Sequence, residues 1–583
     1  MLYISRSAKA FYIFFLGSVL SFNLNDLALA QYPNQSTLLD YPEIEVVINN
    51  NPSDDYLFLS LTAGGFGHLL MVDNQTIPVF YRRIYGTIFD FKWQPNGELT
   101  YIIIPTSSYG MDSSGTPSNR FYTPPGFLFD FHELKVLSDG SYYVLGKESI
   151  IVDMSQYVEG GDTNAILITH NIHHMSSSDN EIWRWRSFDH YDILDADEYV
   201  DLTQHKIDWT HCNSIEVDTD SNIILSTRNF NEITKIDRQT GDIIWRFGGE
   251  RNQFQFINDN RGFSRQHDAR RILNGNIILF DNGVRAIPEY SSLVEYQLDE
   301  TNFTATLVRR YSKSDTFYSR IRGGVQELSN GNFLICWGER DDPAVTEINS
   351  NNAVEYEIRF PTGGHRYRTY RFPWKTNYFS VNRDSVNFGI VDVGDSATTN
   401  LTLYNYREEE VTINEIFYRD SSFSVKESLP IIIPHQDSVE IVIMFKPYSN
   451  EYFTDKINFR YVNDTLLLAQ QVFVEGATSL TSAEKDDKKP DCFYLSQNYP
   501  NPFNPGTTIR YTIPTQSKVS IKVYNSIGEN IAKLVDVNQA AGSYEINWVA
   551  GNFASGIYFY SIVAIPSDGT EIFRSARKMI LLK

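Results

Sequence analysis

Short apolar runs ended by turn residues follow one another along most of this chain, and helix-type periodicity is hard to find. From about Tyr41 to Trp374 one turn signature recurs, as Pro95-Asn96-Gly97, Ser138-Asp139-Gly140, Asp220-Ser221-Asn222, Leu273-Asn274-Gly275-Asn276 and Ser329-Asn330-Gly331-Asn332. Each copy precedes a strand-like run: Leu99 to Ile104, Tyr142 to Leu145, Ile223 to Ser226, Ile277 to Phe280 and Phe333 to Trp337. A second element, Lys235-Ile236-Asp237 with Thr240-Gly241-Asp242-Ile243-Ile244-Trp245, is echoed by Tyr296-Gln297-Leu298-Asp299 and by Glu181-Ile182-Trp183. A shared hairpin motif at unequal spacing is the mark of degenerate propeller blades. At about 45 to 50 residues per blade, roughly 330 residues make six or seven of them. The alternative is a hairpin-rich β-sandwich, but sandwich modules usually run near 100 residues.

After Pro373-Trp374 the alternation in Ser385 to Gly389, Asn400 to Tyr404 and Ser438 to Phe445 predicts an Ig-like sandwich that ends near Gly476, with His435 in a surface loop. Residues 477–491 hold the charge run Glu484-Lys485-Asp486-Asp487-Lys488-Lys489-Pro490 and read as a solvated linker. The last unit, 492–583, is a further small β-sandwich by its strand pattern. The organisation expected is therefore a propeller over 31–374, an Ig-like sandwich over 375–476, a linker and a C-terminal sandwich. Residues 1–30 stand apart as a signal peptide: Arg6 and Lys9 precede the mostly apolar Phe11 to Phe22, and Ala28-Leu29-Ala30 forms a small-residue cleavage site. No later run approaches the roughly 20 apolar residues that span a bilayer, so the mature chain is expected to lack a transmembrane segment.

The formal charge is −22, and loss of Arg6, Lys9 and Asp26 with the leader makes it −23. Phosphate backbones demand concentrated Lys and Arg, so nucleic acid is excluded as a partner. Three cysteines, Cys212, Cys336 and Cys492, are too few and too odd for a disulfide framework, although a Cys212–Cys336 bridge is conceivable. No Cys/His spacing matches a zinc site, and neither a metal nor a cofactor is expected.

The candidate chemistry gathers between His205 and Gly283. Asp208-Trp209-Thr210-His211-Cys212-Asn213-Ser214, Ser226-Thr227-Arg228-Asn229, Trp245 to Gly249 and Arg265-Gln266-His267-Asp268-Ala269-Arg270 all lie at predicted strand ends, where a propeller collects functional groups at one mouth. A neutral imidazole is a good nucleophile near pH 7, and a covalent histidine intermediate splits a transfer reaction into two easier halves. Arginine and asparagine donors suit an oxyanion such as a phosphoryl or sulfuryl group. His211, Asn213, Arg228 and His267 supply both needs. Each has a bland alternative: a structural histidine beside Trp209, an Arg228–aspartate pair, an Asp268–Arg270 pair, and a turn cap at Asn213-Ser214. A Ser nucleophile elbow, a P-loop and an HExxH helix are all missing.

Thr210 to Ile215, Leu225 to Arg228, Ile236 to Gly249, and Gln266 to Arg270 through Phe280-Asp281-Asn282-Gly283 together resemble bacterial arylsulfotransferase, over most of residues 45 to 372. That resemblance implies an all-β fold with a six-bladed β-propeller, here followed by two Ig-like β-sandwich domains. It also implies ping-pong transfer of a sulfuryl group from a phenolic sulfate donor to a phenol acceptor through a sulfohistidine, without a nucleotide sulfate donor. Matched by position, His267 is the nucleophile, His211 and Asn213 the His-x-Asn pair, and Arg228 the arginine after the next strand. His132 in Phe131-His132-Glu133 is a looser match to the remaining histidine, and Arg270 is placed at the substrate. Cys212 and the Asp268-Ala269-Arg270 run depart from the pattern and mark a divergent subfamily. His170, His173 and His174, near Ser176 to Asp179, read as loop residues able to touch substrate or a weakly held metal, and His68 lines the mouth or packs. The rival reading is a non-catalytic secreted propeller that binds polysaccharide or another surface ligand.

The run Gln497-Asn498-Tyr499-Pro500-Asn501-Pro502-Phe503-Asn504-Pro505-Gly506 resembles the C-terminal sorting domain of the type IX secretion system. It implies that machinery as a partner, and a secreted or cell-surface protein of a Gram-negative bacterium.

Overall fold

A computed structural model of the chain describes residues 40–478, except 106, 285 and 365, and residues 493–581, except 497, 499–502, 526–528, 552 and 569–571. The expected signal peptide, the 477–491 charge run, Cys492 and most of the Tyr-Pro-Asn-Pro run fall outside the described residues.

Six sheets, each with a core of four antiparallel strands, form the blades of a propeller, and some carry a further strand at the outer edge. Blade 1 contains Tyr56–Ala63, Phe66–Val72 and Pro78–Tyr85, with Thr369–Phe372 as its innermost strand. Blade 2 runs from Thr87–Trp93 to Pro117–Phe121, blade 3 from Leu128–Val136 to Glu181–Arg186, and blade 4 from Cys212–Val217 to Ile243–Gly248. Blade 5 runs from His267–Arg271 to Thr304–Tyr311, and blade 6 from Gly324–Glu327 to Val354–Arg359. The six innermost strands meet their neighbours in order around the axis, and the ring closes where Thr369–Phe372 approaches blades 6 and 2. Closure uses both ends of the region: Phe372 pairs with Tyr56 at the inner edge of blade 1, and Glu45 pairs with Arg359 at the outer edge of blade 6.

The recurring turn explains itself in this frame. Gly97, Gly140, Gly275 and Gly331 have φ of 89°, 81°, 89° and 82°, a region that only a residue without a Cβ enters freely. The run after each turn is a second strand of its blade, as in Ile223–Thr227 and Ile277–Asp281, where every residue is buried. Neighbouring blades cover both faces of such a strand, so it reads as continuous apolar sequence rather than as alternation.

The Ig-like sandwich is built onto the propeller. Leu466, Leu467 and Leu468 of the strand Leu466–Ala477 pair with Arg82, Tyr81 and Phe80 at the outer edge of blade 1, so one eight-stranded sheet runs from the propeller into the next domain. Val462, Leu467, Leu468 and Ala469 share a core with Leu57, Phe58 and Phe80. The C-terminal unit packs two sheets, Gly506–Ile513 with Gly542–Val549 against Ser517–Tyr524 with Gly556–Pro566, around its own core of Ile509, Ile521, Trp548 and Tyr560. Among the described residues no helix is long and apolar enough to cross a membrane.

The conceivable bridge does not form. Cys212 and Cys336 are both free and buried, on the inner strand of blade 4 and the second strand of blade 6, and burial pushes the Cys212 thiol up to about 12.

Candidate active site

The innermost strands are irregular where they reach the axis, and that irregularity builds the site. Pairing slips between Phe89 and Lys92 in blade 2, between Val144 and Gly146 opposite the blade 3 strand, between Cys212 and Ser214 in blade 4, and between His267 and Arg270 in blade 5. Asp90, His211 and Asp268 have φ of 55°, 49° and 58°, backbone that bulky side chains rarely adopt. A bulge re-aims the side chains beside it. Here the slips turn polar groups toward the axis of a propeller whose sheets are otherwise apolar.

Three imidazoles and a phenol face one another across this space. The His132 ring lies 4.8 Å from His211 and 5.7 Å from Tyr367, and His267 lies 6.3 Å from Tyr367, between centroids. Tyr367 stacks on Phe89 at 5.0 Å, which fixes the phenol as a wall. Each histidine has one nitrogen committed. His267 Nδ1 is 2.7 Å from Asn282 Oδ1, while Asn282 Nδ2 donates to the carbonyls of Ser319 at 2.9 Å and Arg322 at 3.0 Å. With its NH₂ so used, Asn282 offers only an acceptor, and His267 carries its proton on Nδ1 with the Nε2 lone pair free. His132 Nδ1 is 2.7 Å from Asp130 Oδ1 and His211 Nδ1 is 2.5 Å from Asp208 Oδ2. Asp130 and His132 are two apart on one strand and so share its face.

Burial, reinforced by the Arg228 charge, holds His267 well below the ordinary imidazole range. Burial also lowers His211 to about 4 against the pull of Asp208; the ring keeps 25% of its surface open to the funnel yet is ringed by protein. Asp130 is buried and Asp208 keeps 48% of its side chain open; desolvation works upward on both, but their hydrogen-bonded histidines keep both carboxyls low. Near pH 7 His267 and His211 are therefore neutral, beside carboxylates that are charged. Arg228 follows the strand Ile223–Thr227, and its backbone N–H donates to the His211 carbonyl at 3.2 Å. Burial and Arg265 together bring its guanidinium down to about 10, and its Nε–H is buried without a hydrogen-bond partner among the described residues. A desolvated cation with an unspent donor, close enough to depress His267, is a place for an oxyanion.

Beneath the histidines the axis is filled by charge. Lys92 Nζ contacts Asp90 at 2.7 Å and Glu133 at 2.5 Å, Arg368 reaches Glu133 at 3.0 Å and Asp90 at 3.4 Å, and Arg270 reaches Glu133 at 2.5 Å and Asp268 at 2.6 Å. Three buried acids face two buried bases, Lys92 and Arg368, and the partly buried Arg270, drawn from blades 1, 2, 3 and 5. This plug of ion pairs ties the inner strands of four blades together beside the funnel that the histidines line.

The structure brings His132, His211, Arg228 and His267 together. Two expected residues have other duties. Asn213 is fully buried and its Nδ2 donates to the Gln266 carbonyl at 2.7 Å, which ties the inner strand of blade 4 to the residue before His267. Arg270, expected at the substrate, is consumed by Glu133, Asp268 and the Ile215 carbonyl at 2.8 Å. The Asp268–Arg270 pair foreseen as the bland alternative is present, whereas the nearest side-chain partner of Arg228 is Asn229, at 3.0 Å, and not an aspartate.

His170, His173 and His174 are not loop residues but lie on the strand Ala165–Met175, all buried. His170 belongs to the site: its Nε2 lies 3.3 Å from Asp130 Oδ2, and its Nδ1 lies 3.0 Å from Thr210 Oγ1. His173 bonds Glu181 at 2.7 Å, and His174 stacks on Tyr143 at 4.2 Å. His68 is buried and reaches Tyr81 Oη at 3.2 Å, and His435 is exposed in a turn. Asp130, His132 and His170 place one ligand atom each within 4.8 Å, the spacing of a metal site. However, Lys147 Nζ stands 3.2 Å from Asp130 Oδ2, so an ammonium already occupies the carboxylate and hydrogen bonds account for the cluster. Sequence reasoning missed Asp130, Asn282 and Tyr367 and named His170 but placed it in a loop; the Asp-x-His and Asp-x-x-His spacings at 130–132 and 208–211 were the available signals.

A six-bladed propeller with histidines and an arginine gathered at its inner strands is the class of protein that fold and site define. The chain belongs to the arylsulfotransferase (ASST) family, whose model matches residues 47–371. The following domain matches a HYDIN/CFA65/VesB-like Ig-like domain over 377–472, and the last unit matches a secretion system C-terminal sorting domain over 497–571. The sorting domain puts the chain among proteins that are secreted or displayed at the cell surface. No curated protein matches the chain. Similar solved structures include a Bacteroides caccae protein of unknown function, at 12% identity and TM-score 0.36, covering 55% of this chain and 100% of that one. A catalytically inactive virginiamycin B lyase from Staphylococcus aureus with quinupristin, at 9% and TM-score 0.30, covers 55% and 90%. BamB from Moraxella catarrhalis, at 9% and TM-score 0.26, covers 55% and 77%.

Proposed function

We propose that this protein transfers a sulfuryl group from an aryl sulfate to a phenol by way of a sulfated His267. The observation that carries the reading is the His267–Asn282 hydrogen bond, because it leaves an unprotonated Nε2 aimed at the funnel beside a desolvated Arg228. In the first half, the Nε2 lone pair forms the N–S bond and the S–O bond to the aryl group breaks, its electron pair leaving on the phenolate oxygen. The imidazole becomes cationic, and its Nδ1–H bond to Asn282 stabilises that charge. The Arg228 guanidinium holds the sulfuryl oxygens.

In the second half an incoming phenol attacks sulfur, and the N–S electron pair returns to His267. A phenol has a pKa near 10 and so needs a base at neutral pH. His211 fits this role: it is neutral, with Nδ1–H turned to Asp208, so Nε2 can take the phenolic proton while the carboxylate steadies the imidazolium. Asn213 acts by positioning, since its amide holds the segment that carries His267.

The test is to incubate the protein with 4-nitrophenyl sulfate, with and without phenol, beside His267→Ala. Phenol-dependent nitrophenolate release, with a mass gain of one sulfuryl group that His267→Ala lacks, supports the proposal. Absence of turnover and of adduct over a panel of aryl sulfates overturns it. Release that ignores phenol, with the adduct still present, assigns hydrolysis in place of transfer.

A further inference from the structure

A groove of about 470 Å³ opens between blades 2 and 3, walled by Phe121, Tyr122, Phe127, Leu128 and Phe129, with Ser107, Thr123 and Lys147 among its polar lining. Its volume is that of pockets enclosing multi-ring ligands, roughly 300 to 1,000 Å³. It lies next to the funnel: Phe129 precedes Asp130 on the inner strand of blade 3, and Lys147 Nζ lies 3.2 Å from Asp130, the partner of His132. The inner strand's pairing stops at Leu128 opposite Lys147, while the next hairpin continues to Val152 opposite Ala165 and stands as a wall beyond the mouth.

The charge around this apolar floor is one-sided. Arg120 bonds Ser107 Oγ at 2.7 Å and 3.0 Å and lies over the rings of Tyr109 and Tyr122 at 5.4 Å and 5.2 Å. Arg184 lies 4.6 Å over Phe127. Lys147 and Arg184 are neutralised by Asp130 and Glu181, but among the described residues Arg120 has no carboxylate at ion-pair distance. An exposed guanidinium beside two tyrosine rings and a ring-sized groove, in a chain of formal charge −22, complements an aromatic ligand that carries an anion.

We infer that this groove is a subsite for a multi-ring phenol bearing a carboxylate or similar anionic group, its rings between Tyr122, Phe127 and Phe129 and its anion at Arg120. As an acceptor subsite it rests on the sulfuryl-transfer reading; as a binding site it does not. The two are separated by measuring direct binding as well as turnover.

The probes are 6-hydroxy-2-naphthoate, 2-naphthol and phenol, used with wild type, Arg120→Gln and Leu128→Asp. Leu128 is 70% exposed, so the last change leaves the core alone. Naphthoate fluorescence is expected to report binding to wild type that Arg120→Gln weakens about 10-fold, the worth of one charge-assisted contact, while 2-naphthol is unaffected. Leu128→Asp weakens both two-ring ligands. With 4-nitrophenyl sulfate as donor, Arg120→Gln raises KM for the naphthoate alone, and the rate of His267 sulfation is unchanged in both variants. Equal naphthoate binding by wild type and Arg120→Gln, or none by wild type, overturns the subsite whatever the turnover shows. Binding that follows the expected pattern without sulfation of His267 keeps the groove and removes the transferase reading.

Discussion

His267 and Asn282 meet Nδ1 to Oδ1 at 2.7 Å, and two backbone carbonyls behind the asparagine decide which ring nitrogen can react. Replacing Asn282 with Asp exchanges a neutral acceptor for a charged one, which favours the imidazolium. The rate of His267 sulfation by 4-nitrophenyl sulfate is expected to stay flat as pH falls through the ordinary imidazole range in wild type, because burial and the Arg228 charge hold the ring neutral, and to fall with pH across that range in Asn282→Asp. Quenched-flow labelling read by intact mass checks this. Two identical flat profiles would show that Asn282 does not govern the ring.

The Asp208–His211 pair bears on the acceptor half alone. Asp208→Asn removes the charge that steadies a protonated His211, so desulfation of the labelled enzyme by phenol slows by about 10²- to 10⁴-fold, the usual range for general acid–base help. An acidic nitrophenol, already ionised near pH 7, is expected to lose far less. Single-turnover transfer from pre-sulfated enzyme to both acceptors distinguishes these outcomes, and an equal loss with both would remove His211 from the proton-transfer role.

Buried neutral histidines make stability depend on pH. His211 and His174 sit at about 4 in the folded chain and near 6.5 when unfolded, so between those values the unfolded chain binds more protons and stability rises with pH. Each contributes a slope of up to about 1.4 kcal/mol per pH unit, and the loss accrues as pH falls from about 6.5 towards 4. His174→Phe, which keeps a ring on Tyr143, is expected to flatten the slope of the propeller's urea transition over that window. An unchanged slope would contradict it.

The charged plug is sensitive to losing one member. Glu133→Leu leaves Lys92, Arg270 and Arg368 short of one carboxylate where water cannot reach, and the propeller is expected to lose about 3 to 5 kcal/mol in stability. Calorimetry on the propeller transition reads this, and a loss under about 1 kcal/mol would mean that the plug is solvated.

How much of this was legible beforehand follows from what kind of force sets each feature. Blades announce themselves because Gly97, Gly140, Gly275 and Gly331 are local necessities and the runs after them are covered on both faces. His211, Arg228 and His267 were found because they lie at the ends of such runs. Asn282, Asp130 and His170 were missed or misplaced because their roles arise where different strands of a blade meet, His267 with Asn282 and Asp130 with His170, and only the Asp-x-His spacing at 130–132 carries any part of this along one strand. Arg270 misled for the same reason: a guanidinium beside a candidate nucleophile looks like a substrate ligand until the acids that neutralise it, Glu133 from blade 3 above all, arrive from elsewhere in the ring. His173 and His174 looked like loop residues because a polar pair interrupts the apolar run, yet one finds Glu181 and the other Tyr143 within the fold.

The shared sheet between blade 1 and the Ig-like domain also imposes an order on folding. Blade 1 has strands near residue 60, its inner strand at 369–372, and its outer extension at 466–468. During vectorial synthesis or translocation blades 2 to 5 can assemble from local hairpins. The ring, however, stays unsealed until residue 372 emerges, and its outer flank stays uncovered until the chain passes residue 468. A propeller with this wiring remains an open, unlocked array until its sixth blade and closing strand have been delivered, and its flank stays bare until nearly everything except the sorting domain has followed.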